Sequence, residues 1–217
     1  MTKVNVYVDG FNLYHALKNL RIKKYRWLNL KKLAQKFINQ DTENIEQFYY
    51  FSALATHIDS DTVSKHKAYI EALKTEGITF VAGNFKAKIA HISKEIREKY
   101  NIPNSEKSLT HEEKESDVNL ALYILRDAMM KICDKMLIIT NDTDISPAIK
   151  MAKEQNDKLD IKVLTPPTFK NCHQALLRSA HQPYTISITQ KKIEESLFPY
   201  EIIKPNGKKI FIPKKWI

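Results

Sequence analysis

Cysteine and glycine are scarce in this chain, and long apolar runs are absent. Two cysteines, Cys133 and Cys172, allow one bridge at most, which excludes a disulfide-built scaffold. Each stands in an apolar helical context and reads as a reduced core thiol, so a cytoplasmic protein is expected. No apolar run reaches the roughly 18 to 20 residues that span a bilayer, and no membrane partner is expected. The opening MTKVNVYVDGFN reads as a strand and its turn, so a cleavable secretion signal is not expected. Phosphate-loop, nucleophile-elbow and C-x-x-C patterns are all missing, and the seven histidines show no metal-ligand spacing. There is no internal repeat and no low-complexity segment.

What is present is an ordinary globular balance with an excess of positive charge. The 217 residues are 43% apolar and 28% charged, enough for one substantial core. Thirty-five Lys and Arg against 25 Asp and Glu leave a net charge of +10. Such an excess favours a polyanionic partner through counterion release, although solubility alone can also account for surplus lysine.

Short β-branched runs alternate with longer helical patterns, which predicts an α/β fold with a mostly parallel sheet and crossover helices. Strands are expected at Val4 to Val8, Ile45 to Phe51, Ile78 to Val81, Met136 to Thr140 and Ile161 to Leu164. Helices are expected at Asn12 to Leu20, Leu30 to Asn39, Ser60 to Glu76, Glu113 to Ile132, Pro147 to Gln155 and Phe169 to Ala180. Gly77 reads as a helix C-cap, Gly83 as the close of a strand, and Pro205-Asn206-Gly207 as a hairpin turn. Residues 1–183 form the main domain in this reading, and 184–217 a small helix-and-hairpin extension packed on it. The segment from Lys86 to Thr110 is polar and weakly periodic, a candidate substrate-contacting loop.

The acidic residues carry the functional signal. Asp9 ends the run VNVYV, and Asp142 and Asp144 follow MLIIT, so these carboxylates stand at carboxyl ends of parallel strands, where such sheets bind ligands. Asp117 opens a long helix whose apolar positions Val118, Leu122, Leu125, Met129 and Ile132 recur at helical spacing. Singly, each acid has a plain alternative as a turn or cap residue. Together they suit a hard ion such as Mg²⁺ or Mn²⁺, which prefers oxygen ligands, lowers the pKa of water and neutralises developing charge on a phosphodiester. Asp127 lies ten residues past Asp117, about 15 Å along a helix, so one ion cannot be held by both. It reads as structural.

At these residues the chain resembles the NYN-domain proteins, a branch of the PIN-like ribonuclease superfamily. The segments that carry the resemblance are VYVDGFNLYHAL (Val6 to Leu17), YYFSALA (Tyr49 to Ala55), EKESDVNLALYILRDA (Glu113 to Ala128) and LIITNDTDISPAI (Leu137 to Ile149). The C-terminal PNGKKIFIPKKW is similar to the tail of one NYN subgroup. The resemblance implies a Rossmann-like α/β/α fold and a metal-dependent, RNA-cleaving site. Asp9, Asp117, Asp142 and Asp144 match the family's acidic positions and would hold one or two Mg²⁺ or Mn²⁺ ions. Asn12 matches its asparagine after the first strand and would orient a carboxylate or the scissile phosphate.

From Lys18 to Lys36 eight basic residues occur without an acid: Lys18, Arg21, Lys23, Lys24, Arg26, Lys31, Lys32 and Lys36. Tyr25 and Trp27 lie among them, which suits phosphate contacts beside base stacking, while a solvated face over core aromatics is the plain alternative. Lys208, Lys209, Lys214 and Lys215 form a second basic patch. The expected function is a metal-dependent endoribonuclease acting on single-stranded or structured RNA, with self-association left open. The alternative is a non-catalytic RNA-binding module that retains the acidic pocket. Phosphoaspartyl hydrolysis is disfavoured, because Phe11 stands where a second aspartate would be needed.

Overall fold

A computed structural model describes residues 1–217. Nine strands form: β1 (Thr2–Asp9), β2 (Glu43–Ala53), β3 (Thr79–His91), β4 (Lys107–Lys114), β5 (Lys135–Ile139), β6 (Asp160–Thr165), β7 (Ile186–Ser187), β8 (Glu201–Ile203) and β9 (Lys209–Phe211). The helices are α1 (Gly10–Asn19), α2 (Leu30–Ala34), α3 (Ser60–Thr75), α4 (Lys94–Tyr100), α5 (Ser116–Met129), α6 (Ser146–Gln155), α7 (Gln174–Ser179) and α8 (Gln190–Glu194).

Seven strands make one sheet in the order β4-β3-β2-β1-β5-β6-β7, parallel throughout except for the antiparallel β3–β4 pair. The parallel strands, taken in chain order, therefore run 3-2-1-4-5-6, the doubly wound arrangement. Strand direction of succession reverses between β1 and β5, and a crevice must open at their carboxyl ends. A central parallel strand is covered on both faces and needs apolar residues on both. In β1, Val4, Val6 and Val8 enter one core with α1, α3 and Leu137, while Tyr7 enters the other with Leu120 and Ile124 of α5 and Ile149 of α6. The result is a three-layer α/β/α domain, with the mostly parallel sheet that the sequence pattern implied and the layering that the family resemblance implied.

The C-terminal residues share the first core. Trp27, fully buried, packs against Tyr69, Phe198 and Trp216, and its indole donates to the Pro199 carbonyl at 2.8 Å. β8 and β9 form the hairpin expected at Pro205-Asn206-Gly207.

Three expectations need correction. The segment beyond Lys86 is not a loop: β3 and β4 form a long antiparallel arm, with α4 between them. Gly83 lies within β3 rather than at its end. It is there because a Cβ would collide with the Ser116 hydroxyl and would lie 2.7 Å from the Lys114 carbonyl, where the strand passes the entry to α5. The long helix starts at Ser116, because Glu113 belongs to β4, and it ends before Ile132. Of the apolar positions that marked it, Val118, Leu122 and Met129 face solvent, Leu125 is half-buried and Ile132 lies beyond the helix; the buried face is Leu120, Ile124, Asp127 and Ala128.

Candidate metal centre

Asp9 terminates β1 and caps α1. Its Oδ1 accepts from the Asn12 backbone N–H at 2.9 Å, and its Oδ2 accepts from the Thr140 hydroxyl at 2.8 Å. The close seating of α1 on β2 depends on Gly10, since a Cβ there would meet the Phe51 carbonyl and the Tyr50 ring at 2.6 Å. Across the switch point, Thr140 also accepts from the Asp142 backbone N–H at 3.0 Å. One hydroxyl thereby ties the two strand ends together. Asn12 completes the tie, its side-chain oxygen accepting from the Asn141 backbone N–H at 3.1 Å. Asn141 in turn accepts from the His173 backbone N–H at 3.0 Å.

Asp117 comes from the first turn of α5. Glu115, just before the helix, holds a left-handed conformation (φ 75°), which turns the chain out of β4 and into the helix. Carboxylate oxygens of Asp9, Asp117 and Asp142 lie within 4.8 Å of one another. Asp144 is not part of that group. It is exposed, and its backbone N–H donates to Asp142 Oδ1 at 2.9 Å. Its charge still acts on Asp117.

The electrostatics describe a pocket short of positive charge. Burial pushes the Asp9 carboxyl up to about 7, with Asp117 and Asp142 adding to the rise and the Asn12 and Thr140 hydrogen bonds opposing it. Asp117 is also raised, first by desolvation of its carboxyl and then by Asp142 and Asp144. Glu113 borders the same cavity and is raised by burial, partly offset by a hydrogen bond from Ser116. Its Oε2 is buried with no partner. A hard divalent cation suits this donor set, because it would supply the charge that three crowded carboxylates lack.

The cavity, about 320 Å³, is lined by Asp9, Phe11, Asn12, Phe85, His111, Glu112, Glu113, Asp117 and Asp142. Glu113, Thr140 and the aromatic members escaped the sequence reading. Glu113 was hidden by an overlong helix. Phe85 stood in the alternating run FKAKI, which does carry a strand signal.

The basic segment is only partly a surface. Lys18, Arg21, Lys23 and Lys24 are exposed, and Arg26 is half-buried with its guanidinium 5.7 Å from the Tyr14 ring centroid. Trp27 is 1% exposed and cannot stack on a base, which removes it from the expected nucleic-acid contacts. Tyr25 is buried as well, and Lys36 is paired with Glu195 at 2.7 Å. The exposed rings beside the basic residues are Phe11, Tyr14 and His15 of α1. In the C-terminal patch, Lys209 and Lys215 are paired with Glu201 and Asp61. Both cysteines are free and buried, in loops rather than helices. No helix is long and apolar enough to cross a membrane.

The NYN domain family matches residues 3–188. The 6-hydroxy-3-succinoylpyridine 3-monooxygenase of Pseudomonas putida is 31% identical over 206 residues, 82% of this chain. The match spans 65% of that protein's length. A solved structure of a protein of unknown function from Vibrio parahaemolyticus superimposes with a TM-score of 0.54 at 14% identity. It covers 87% of this chain and 94% of its own, a likeness of fold.

Proposed function

The chain belongs to the NYN-domain family, and from that premise we propose that it is a Mg²⁺- or Mn²⁺-dependent ribonuclease cutting within RNA. The observation that carries the proposal is the convergence of Asp9, Asp117 and Asp142 within 4.8 Å at the switch point of the sheet. These three residues would hold the ion, which when bound supplies electrophilic stabilisation of the phosphodiester and a more acidic water.

The chain's own groups divide the remaining work. Hydrolysis forms a bond from water oxygen to phosphorus and breaks one P–O ester bond. The water's proton needs an acceptor, and Glu113 suits this role, whereas the cavity's other carboxylate outside the triad, Glu112, is paired with Lys88 and Lys114. Thr140 and Asn12 hold Asp9 and the 140–142 loop in register, so that the acids meet without rearrangement. Asp144 shapes the Asp142 loop and biases Asp117 electrostatically. RNA would enter along the outer face of α1, where Lys18, Arg21, Lys23, Lys24 and Arg26 meet its phosphates. In this proposal the catalytic unit runs on past the expected boundary at 183 to include β7, and the residues after β7 brace it. Any homo-oligomer would use the exposed apolar face of α5, and Leu122→Glu would abolish it in light scattering.

The test is cleavage of end-labelled RNA with Mn²⁺, by wild type and by Asp142→Asn. Products from wild type alone, lost on chelation, are expected; equal cutting by both proteins would end the proposal.

A second reading is favoured by the Pseudomonas putida relative, whose name describes a monooxygenase acting on a hydroxylated pyridine. Under it the same pocket would take a small aromatic heterocycle. Turnover of such a compound, with no RNA cleavage, would establish it.

A further inference from the structure

We propose that His57, His111 and Phe85 form a stacking subsite for one nucleobase of single-stranded RNA, on the rim of the acidic pocket. The nature of the ligand rests on the ribonuclease reading. The geometry stands independently of it.

The His57 and His111 rings lie parallel, 9° apart with centroids at 3.9 Å, and Phe85 packs 4.6 Å from His57. Three separate segments meet here: the loop between β2 and α3, β3 and β4. Cross-strand register explains the grouping. Phe85 pairs with Glu113, and Ala87 pairs with His111, so these residues share one face of the arm. Opposite His111 the small Ala87 leaves room for His57 to lie over the imidazole.

His57 is exposed although His111 covers one side of its ring. His57 is therefore accessible to a ligand beside a cavity that Phe85 and His111 help to line. Partial desolvation, and then the neighbouring His111, hold the His57 pKa below its ordinary value.

A related surface borders the same cavity. Phe11 also lines the cavity, is 44% exposed and meets His15 edge-on at 4.4 Å. A phosphate held at the acids would thus have further aromatic rings beside it. Bases in a duplex are already stacked and paired, so such rings select unpaired strands.

The test uses the full chain with Asp142→Asn, so that RNA is not consumed, and a short single-stranded oligoribonucleotide carrying 2-aminopurine. His57→Ala should weaken binding about tenfold, whereas His57→Phe should hold it within about twofold. The loss should vanish when one nucleotide is made abasic, and duplex RNA should not respond. Equal binding by all three proteins, or the same loss with every abasic oligonucleotide, would overturn the subsite. Likewise, His57-dependent binding of a free hydroxypyridine in place of the oligonucleotide would reassign the rings to a small heterocycle. Base-dependent binding without Mn²⁺-supported cleavage by wild type would uphold the subsite and remove the reaction.

Discussion

Asp9 and Asp127 are both buried aspartates touching β1, and their neighbours treat them in opposite ways. Asp127, 0% exposed, accepts from the Tyr7 hydroxyl at 2.7 Å, from Asn5 Nδ2 at 3.0 Å and from Arg126 Nε at 2.7 Å. Three side-chain donors, one of them a guanidinium, match its charge. Asp9, 4% exposed, receives one backbone N–H and one hydroxyl, and then faces two further carboxylates. Burial of an acid is thus no sign of function in itself. What separates the two is whether the protein supplies the compensating charge or leaves it to a ligand.

That contrast can be broken or sharpened by experiment. The largest effect is expected from Asp9→Asn, which should lower Mn²⁺-dependent RNA cleavage by at least about 10³-fold, roughly 4 kcal/mol. Single-turnover rates would measure it. Because asparagine caps helices as well as aspartate does, the variant should fold normally. Asp127→Ala should do the reverse, costing about 3 kcal/mol in urea unfolding while sparing ion affinity in the folded fraction. If both variants lost stability and neither lost ion binding, the distinction would collapse.

Next in size is the pH dependence of the ion-free protein. The Asp9 carboxyl is raised in the folded state to about 7 from an ordinary value near 3.8. Its contribution to stability is therefore fully present below the lower figure and lost as pH rises through the upper one. The melting temperature should fall between about pH 4 and 7, more steeply in wild type than in Asp9→Asn. Mn²⁺ should cancel the fall, and calorimetry in two buffers at pH 6 should detect proton release on binding. A slope unchanged in Asp9→Asn would show that another group is responsible. The smallest effect is expected from Glu115→Gly, which should stabilise the fold by up to about 1 kcal/mol by relieving the left-handed turn. A loss of stability would mean that the side chain contributes contacts beyond its backbone angle.

Much of this arrangement was legible because the central strands are periodic. VNVYV and MLIIT are bounded by polar residues, so Asp9 and Asp142 could be placed at strand ends without coordinates. Asp117 depended on family resemblance, because the helix boundary was misplaced by three residues and most of the apolar stripe that defined it faces solvent. Trp27 was ambiguous for a physical reason. An indole among lysines satisfies both a stacking site and a core, and only the carbonyl of Pro199 and the tail aromatics decide between them. The β3–β4 arm was missed because it lies beyond the covered sheet, where burial no longer imposes strict alternation on both strands. Glu113 and His111 went unnoticed with it.

The contact between Trp27 and Trp216 also has a consequence in time. These residues are separated by 189 positions, so at about 5 to 20 residues per second the ribosome takes roughly 10 to 40 seconds to deliver the second after the first. Over that interval the N-terminal half holds an uncovered aromatic surface. The order of synthesis makes a later-made segment the lid on an earlier-made core, and a nascent chain stalled near residue 183 should be a preferred client for holding chaperones.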